Sequence, residues 1–144
     1  MRSDSFHELG VIRSVFFIFC LLMCDFSFAE TPCTALRGSL DSAQLGLLEK
    51  NIVRQLSLQL DVKKVDVLAF FTYQGWSIVY ENDGVSDESL LIYNDDIFNT
   101  DYVVQFSGAV SIDDNMTQWI KQEAPDIPEK LAQCFSWYST YRKD

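Results

Sequence analysis

Between residues 65 and 107 the chain carries four runs of strand character, joined by segments too short to hold crossover helices. Val65, Val67, Ala69, Phe71 and Tyr73 alternate with Asp66, Leu68, Phe70 and Thr72, a period-two pattern in which both faces are largely apolar. Gln74-Gly75 offers a two-residue turn, after which Trp76, Ile78 and Tyr80 read as a second strand facing the first. Asn82-Asp83-Gly84 closes that strand with turn chemistry, and Glu81 just before it reads as part of the turn. Leu90-Leu91-Ile92-Tyr93 makes a third strand, ended by Asn94-Asp95-Asp96. Tyr102, Val104 and Phe106 alternate with Val103, Gln105 and Ser107 for the fourth. Parallel neighbours need a connection of about a dozen residues or more, so this spacing predicts an antiparallel meander.

Helical periods flank the meander. Asp41-Ser42-Ala43-Gln44 matches a capping box, and Leu45, Leu48, Ile52, Leu56 and Leu60 then recur at helical spacing, with Glu49, Lys50, Arg54 and Gln55 on other faces. This predicts a helix over roughly 42–59. After the strands, Ser111-Ile112-Asp113-Asp114 matches another capping box, with Ile112, Met116, Trp119 and Ile120 on one stripe before Pro125. Asp126-Ile127-Pro128-Glu129 opens a last helix along which Leu131, Cys134, Phe135, Tyr138 and Tyr141 form an apolar stripe. The expected fold is α+β: an N-terminal helix, a four-stranded antiparallel meander, and two C-terminal helices packed on the sheet.

Residues 1–29 read as a cleaved secretory signal peptide. Arg13 precedes the apolar run from Val15 to Met23, and Ser27-Phe28-Ala29 forms a small-residue exit before Glu30. Two rival readings fit less well. Asp25 interrupts the run after about ten residues, where a bilayer span needs roughly 20. Met23 is not the small residue expected before a lipid-bearing Cys24. The remaining residues, 30–144, suit a single small domain. They hold two cysteines, Cys33 and Cys134, and in an exported chain these are expected to form one disulfide. A periplasmic or secreted location follows as the expectation.

That remainder contains no histidine, and this excludes a Ser-His-Asp or Cys-His site built within the chain. Two thiols without histidine also fall short of a zinc site. With nine Lys and Arg against eighteen Asp and Glu, it disfavours nucleic acid and anionic lipid, so neither a nucleic-acid partner nor stable membrane insertion after signal cleavage is expected. No acid is flanked by the apolar residues that would mark a buried catalytic glutamate, and no cofactor is implied.

The 56 residues between Lys64 and Lys121 contain no Lys or Arg, but ten acids and ten aromatics. A meander gathers those acids in its connecting loops, where a field of one sign steers a basic partner and exposed aromatics anchor it. The candidate docking residues are Asp83, Asp87, Glu88, Asp95, Asp96 and Asp101, with Tyr80 and Tyr93. Calcium fits poorly: an EF-hand register centred on Gly84 puts Val79 first and Leu90 twelfth, which leaves only an irregular site on Asn94, Asp95, Asp96, Asn99 and Asp101. The expected function is a small exported, non-catalytic acidic binding protein, such as a periplasmic immunity protein or an inhibitor of a basic effector or cell-wall hydrolase. The alternative is a small-ligand-binding or envelope-maintenance protein with an aromatic-lined pocket.

Overall fold

A computed structural model describes residues 30–142; the expected signal segment and its cleavage point lie outside them. The first helix, α1, spans Ser42–Leu56. The four strands β1 (Asp66–Tyr73), β2 (Trp76–Asn82), β3 (Ser89–Tyr93) and β4 (Val104–Ser107) form one antiparallel sheet in sequential order. Helices α2 (Met116–Glu123) and α3 (Glu129–Tyr141) close the chain. The fold is the expected α+β arrangement.

Local chemistry explains most boundaries. The Asp41 carboxylate accepts from the backbone N–H of Ala43 and Gln44 at 2.9 and 2.8 Å, and Gln44 accepts in return from the Asp41 N–H at 3.0 Å. Gln74 and Gly75 join β1 to β2 with φ of 50° and 81°, the left-handed pair a tight hairpin turn requires. Three boundaries differ most from the sequence reading: α1 ends at Leu56 instead of about 59, β4 begins at Val104 instead of Tyr102, and α2 starts late. Residues 111–114 form a turn instead of a helix, and α2 begins four residues later, capped by the Asn115 side chain, which accepts from Gln118 N–H at 3.0 Å. Ile112, expected on its apolar stripe, is therefore exposed, as is Leu60 beyond the end of α1.

Both faces of the sheet are covered. Ala69, Phe71, Ile78, Tyr80, Leu90 and Ile92 pack with Ile120, Leu131 and Phe135 of the C-terminal helices. On the opposite face Val65, Val79, Leu91 and Tyr93 pack with Leu48, Ile52 and Leu56 of α1. The simple alternation predicted for β1 places Val65 and Val67 with Phe71, but the structure separates them. Val67 pairs with Glu81 and Ala69 with Tyr80, so Leu68 is an extra, bulged residue. A one-residue bulge moves every side chain before it to the other face. Val65 and Val67 thereby join the α1 side.

Cys33 and Cys134 are bridged, tying a 3-10 turn at Thr34–Leu36 to the middle of α3. The chain then runs along the β1 edge: Arg37 bridges to Phe71, and Gly38 N–H donates to Phe70 O at 3.0 Å. Gly38 is needed there, because a Cβ would come within 2.5 Å of the Phe70 ring. Among the described residues no helix is long and apolar enough to cross a membrane.

Candidate functional site

In a sequential meander alternate turns lie at opposite ends, so the acidic residues do not form one surface. The β2–β3 connection, carrying Asp83, Asp87 and Glu88, sits at one end. The β3–β4 connection, carrying Asp95, Asp96 and Asp101, sits at the other, separated by the length of β3 or about 13 Å.

At the first end Asp83 is buried and serves the loop itself. Its carboxylate accepts from Val85 N–H, Ser86 N–H and the Ser86 hydroxyl, each at 2.7 Å. Burial alone would raise its pKa, but these hydrogen bonds outweigh it and hold the group below the ordinary carboxylate value. Gly84, at φ 67°, allows the tight path, and its N–H donates to Asn82 Oδ1 at 2.8 Å. Asp87 is exposed and Glu88 half-buried, with the exposed Val85 two residues before Asp87. Asp87 and Glu88 line a groove of about 340 Å³ together with Gly108, Val110, Thr140 and Arg142. Arg142 donates to Ser139 O at 2.9 Å and Gly108 O at 3.2 Å.

At the second end α1 holds the loop. Asn51 Nδ2 donates to Ile97 O at 2.9 Å and Thr100 O at 2.8 Å, and Tyr102 N–H donates to Gln55 Oε1 at 2.8 Å. Asn51 and Gln55 are buried, although the helical pattern placed Gln55 away from the apolar stripe. Asp101 pairs with Arg54. Asp96 accepts from the Asn99 side chain and from Phe98 N–H, which lowers its pKa in that order of effect. Asp95 is exposed. With Asp96 and Asp101 so engaged, the irregular calcium arrangement does not assemble, and the described residues contain no cluster of three His, Cys, Asp or Glu able to hold a metal ion.

The two expected tyrosine anchors are inside the protein. Tyr80 packs edge-on against Tyr138 with ring centroids 5.4 Å apart, under the Arg142 guanidinium. Tyr93 is fully buried on the α1 face, where its hydroxyl accepts from Gln55 Nε2 at 3.3 Å and burial pushes the phenol well above its ordinary pKa. Strand alternation under two covering layers leaves neither ring at the surface. Exposed apolar side chains beside the acidic loops are instead Val85 and Val103.

Sequence reasoning missed Glu81. It belongs to β2, in phase with Ser77 and Val79, and is fully buried between Val67 on β1 and Ser89 on β3. The Ser89 hydroxyl donates to Oε1, while Oε2 has no hydrogen-bond partner. Burial pushes this carboxyl up to about 7; the Ser89 hydrogen bond opposes the shift, and the nearby charges of Asp83 and Glu88 add to it. Continuing the alternation of Ile78 and Tyr80 by one residue would have found it, but the following Asn-Asp-Gly made Glu81 look like turn.

Compared with protein-family models, curated proteins and solved structures, the chain matches none.

Proposed function

We propose that this chain is a small exported, non-catalytic acidic binding protein, docking a basic partner at the β2–β3 end of the sheet. In a periplasm that role is an immunity protein, or an inhibitor of a basic effector or cell-wall hydrolase. The observation that carries the reading is the groove bordered by Asp87 and Glu88, presented by a loop that Asp83 holds rigid. Asp87 and Glu88 lie beside the exposed Val85, and Glu88 accepts from Asn82 Nδ2 at 3.3 Å. They offer a basic side chain an acidic edge on a braced loop, in a groove that Arg142 also lines. Glu81 is the carboxyl whose pKa suits proton transfer, but it lies beyond the reach of solvent and so of any substrate. The disulfide is compatible with an oxidising compartment.

Charge reversal tests the docking end. Asp87→Lys with Glu88→Lys should slow association with a basic envelope hydrolase about tenfold, whereas Asp95→Lys at the far end should change it less than about twofold. Salt at 1 M, where the Debye length is about 3 Å, should slow the wild type in the same direction. Stopped-flow association rates decide it; equal rates for all three proteins at low salt refute the docking surface. The compartment is tested separately by N-terminal sequencing of the exported protein, which should begin at Glu30. A chain retaining Met1, or one lipidated at Cys24, would refute export by a cleaved signal.

A further inference from the structure

A second groove, of about 380 Å³, opens beside the disulfide on the α3 side of the sheet and has the opposite electrostatic character. Its lining includes Arg37, Arg142, Phe71, Trp137, Tyr138 and Tyr141 and, among the described residues, no Asp or Glu. That is unusual in a chain whose residues after 29 hold twice as many acids as bases. Four other cations, Arg54, Lys63, Lys64 and Lys121, are each paired with a carboxylate. Arg37 is exposed and, among the described residues, makes no side-chain hydrogen bond or ion pair. Arg37 and Arg142 line the groove together with Tyr138; burial raises the pKa of its phenol, and the two guanidinium charges oppose the shift.

The walls are preformed. Phe71 and Tyr138 pack edge-on at 5.0 Å, and Trp137 and Tyr141 lie 5.8 Å apart. The bridge from Cys33 to Cys134 holds the Arg37 side of the groove against α3. Aromatic walls with a few convergent polar groups, in a volume of roughly 300–1,000 Å³, are the features of a small-ligand site. A guanidinium fork matches a carboxylate in two parallel hydrogen bonds, and flat rings favour an aromatic body.

We infer that this groove binds a small carboxylate carrying an aromatic ring, with the carboxylate on Arg37 and the ring against Trp137 and Tyr138. The inference does not rest on the docking reading: Arg142 borders both grooves, but the proposed contacts are on Arg37, Trp137 and Tyr138, none of which lines the acidic groove. The same chemistry is offered by a free aromatic acid or by a peptide ending in an aromatic residue.

Calorimetric titration of the full exported chain with 3-phenylpropionate, N-acetyl-phenylalanine and N-acetyl-phenylalaninamide tests the site and separates the two sources. At least one of the two acids should bind saturably below ~10 mM, and the amide at least about tenfold more weakly. Binding of 3-phenylpropionate assigns free acids, and binding of N-acetyl-phenylalanine alone assigns a peptide C terminus. Arg37→Gln, an exposed change, should weaken the acid about tenfold and leave the amide unchanged, and Trp137→Leu should weaken both. Absence of saturation for both acids, equal binding of acid and amide, or an Arg37→Gln protein that binds like wild type overturns the site.

Discussion

Replacing Glu81 by Gln should stabilise the protein by about 2–3 kcal/mol at pH 8 and, at pH 4, leave it unchanged or destabilised by no more than about 1 kcal/mol. The native carboxyl titrates at about 7, against 4.5 for the same group in the unfolded chain. The native state therefore holds its proton more tightly. Below pH 4.5 both states are protonated and burial is not penalised. As pH rises from about 4.5 to about 7 the unfolded chain gains the advantage of ionising first, and stability falls. Each pKa unit is about 1.4 kcal/mol, so the full penalty above pH 7 is on the order of 3 kcal/mol. Gln removes the titration but leaves its amide opposite an unpartnered position, so part of the gain is lost. The residues after 29 contain no histidine to obscure this window. Urea unfolding at pH 4 and pH 8 checks the prediction, and parallel pH profiles for wild type and Glu81→Gln would refute it.

Removing the disulfide should cost about 3–5 kcal/mol. The bridge closes a loop with a sequence separation of 101, for which the chain-entropy estimate is about 4.7 kcal/mol, and loss of native bridges from small domains typically costs 2–5 kcal/mol. Both half-cystines are buried in the cluster between the sheet and the C-terminal helices, so Cys33→Ala with Cys134→Ala also leaves a small packing defect. Reducing agent should lower the urea midpoint of the wild type and have no effect on the double variant. The arginine groove should suffer with it, since the bridge fastens the segment that carries Arg37 to α3. A reduced protein whose stability lies within about 0.5 kcal/mol of the oxidised one would show that packing alone holds this segment.

These two sites differ in how readable they are from the chain. The disulfide follows from counting, since two cysteines remain beyond the expected signal and Cys134 lies on a clean apolar stripe. Glu81 does not, because its burial depends on Val67 being delivered opposite it by the bulge at Leu68. Asp83, Asp96 and Asp101 look alike as acids in turns. Only their partners, Val85 and Ser86, Phe98 and Asn99, and Arg54 respectively, show that they are engaged within the fold. Glu88 also accepts, from Asn82 Nδ2 at 3.3 Å, which leaves Asp87 and Asp95 of the original six without a side-chain hydrogen bond or ion pair among the described residues. Asn51 and Gln55, polar on a helix, became buried hydrogen-bonding groups once the β3–β4 loop was laid across them.

The sequence by itself determined the number, order and antiparallel sense of the strands, the helices at either end, and the cysteine pairing. Those follow from side-chain period, turn residues and connection length, all properties of neighbours along the chain. The tertiary structure alone decided that the residues before Leu68 change face, and that Tyr80, Tyr93 and Glu81 lie inside. It also decided that the acids divide between opposite ends of the sheet, and that two arginines far apart in sequence share one aromatic groove. Burial and charge proximity depend on what packs across from a residue, and a period along one strand or helix carries no record of that.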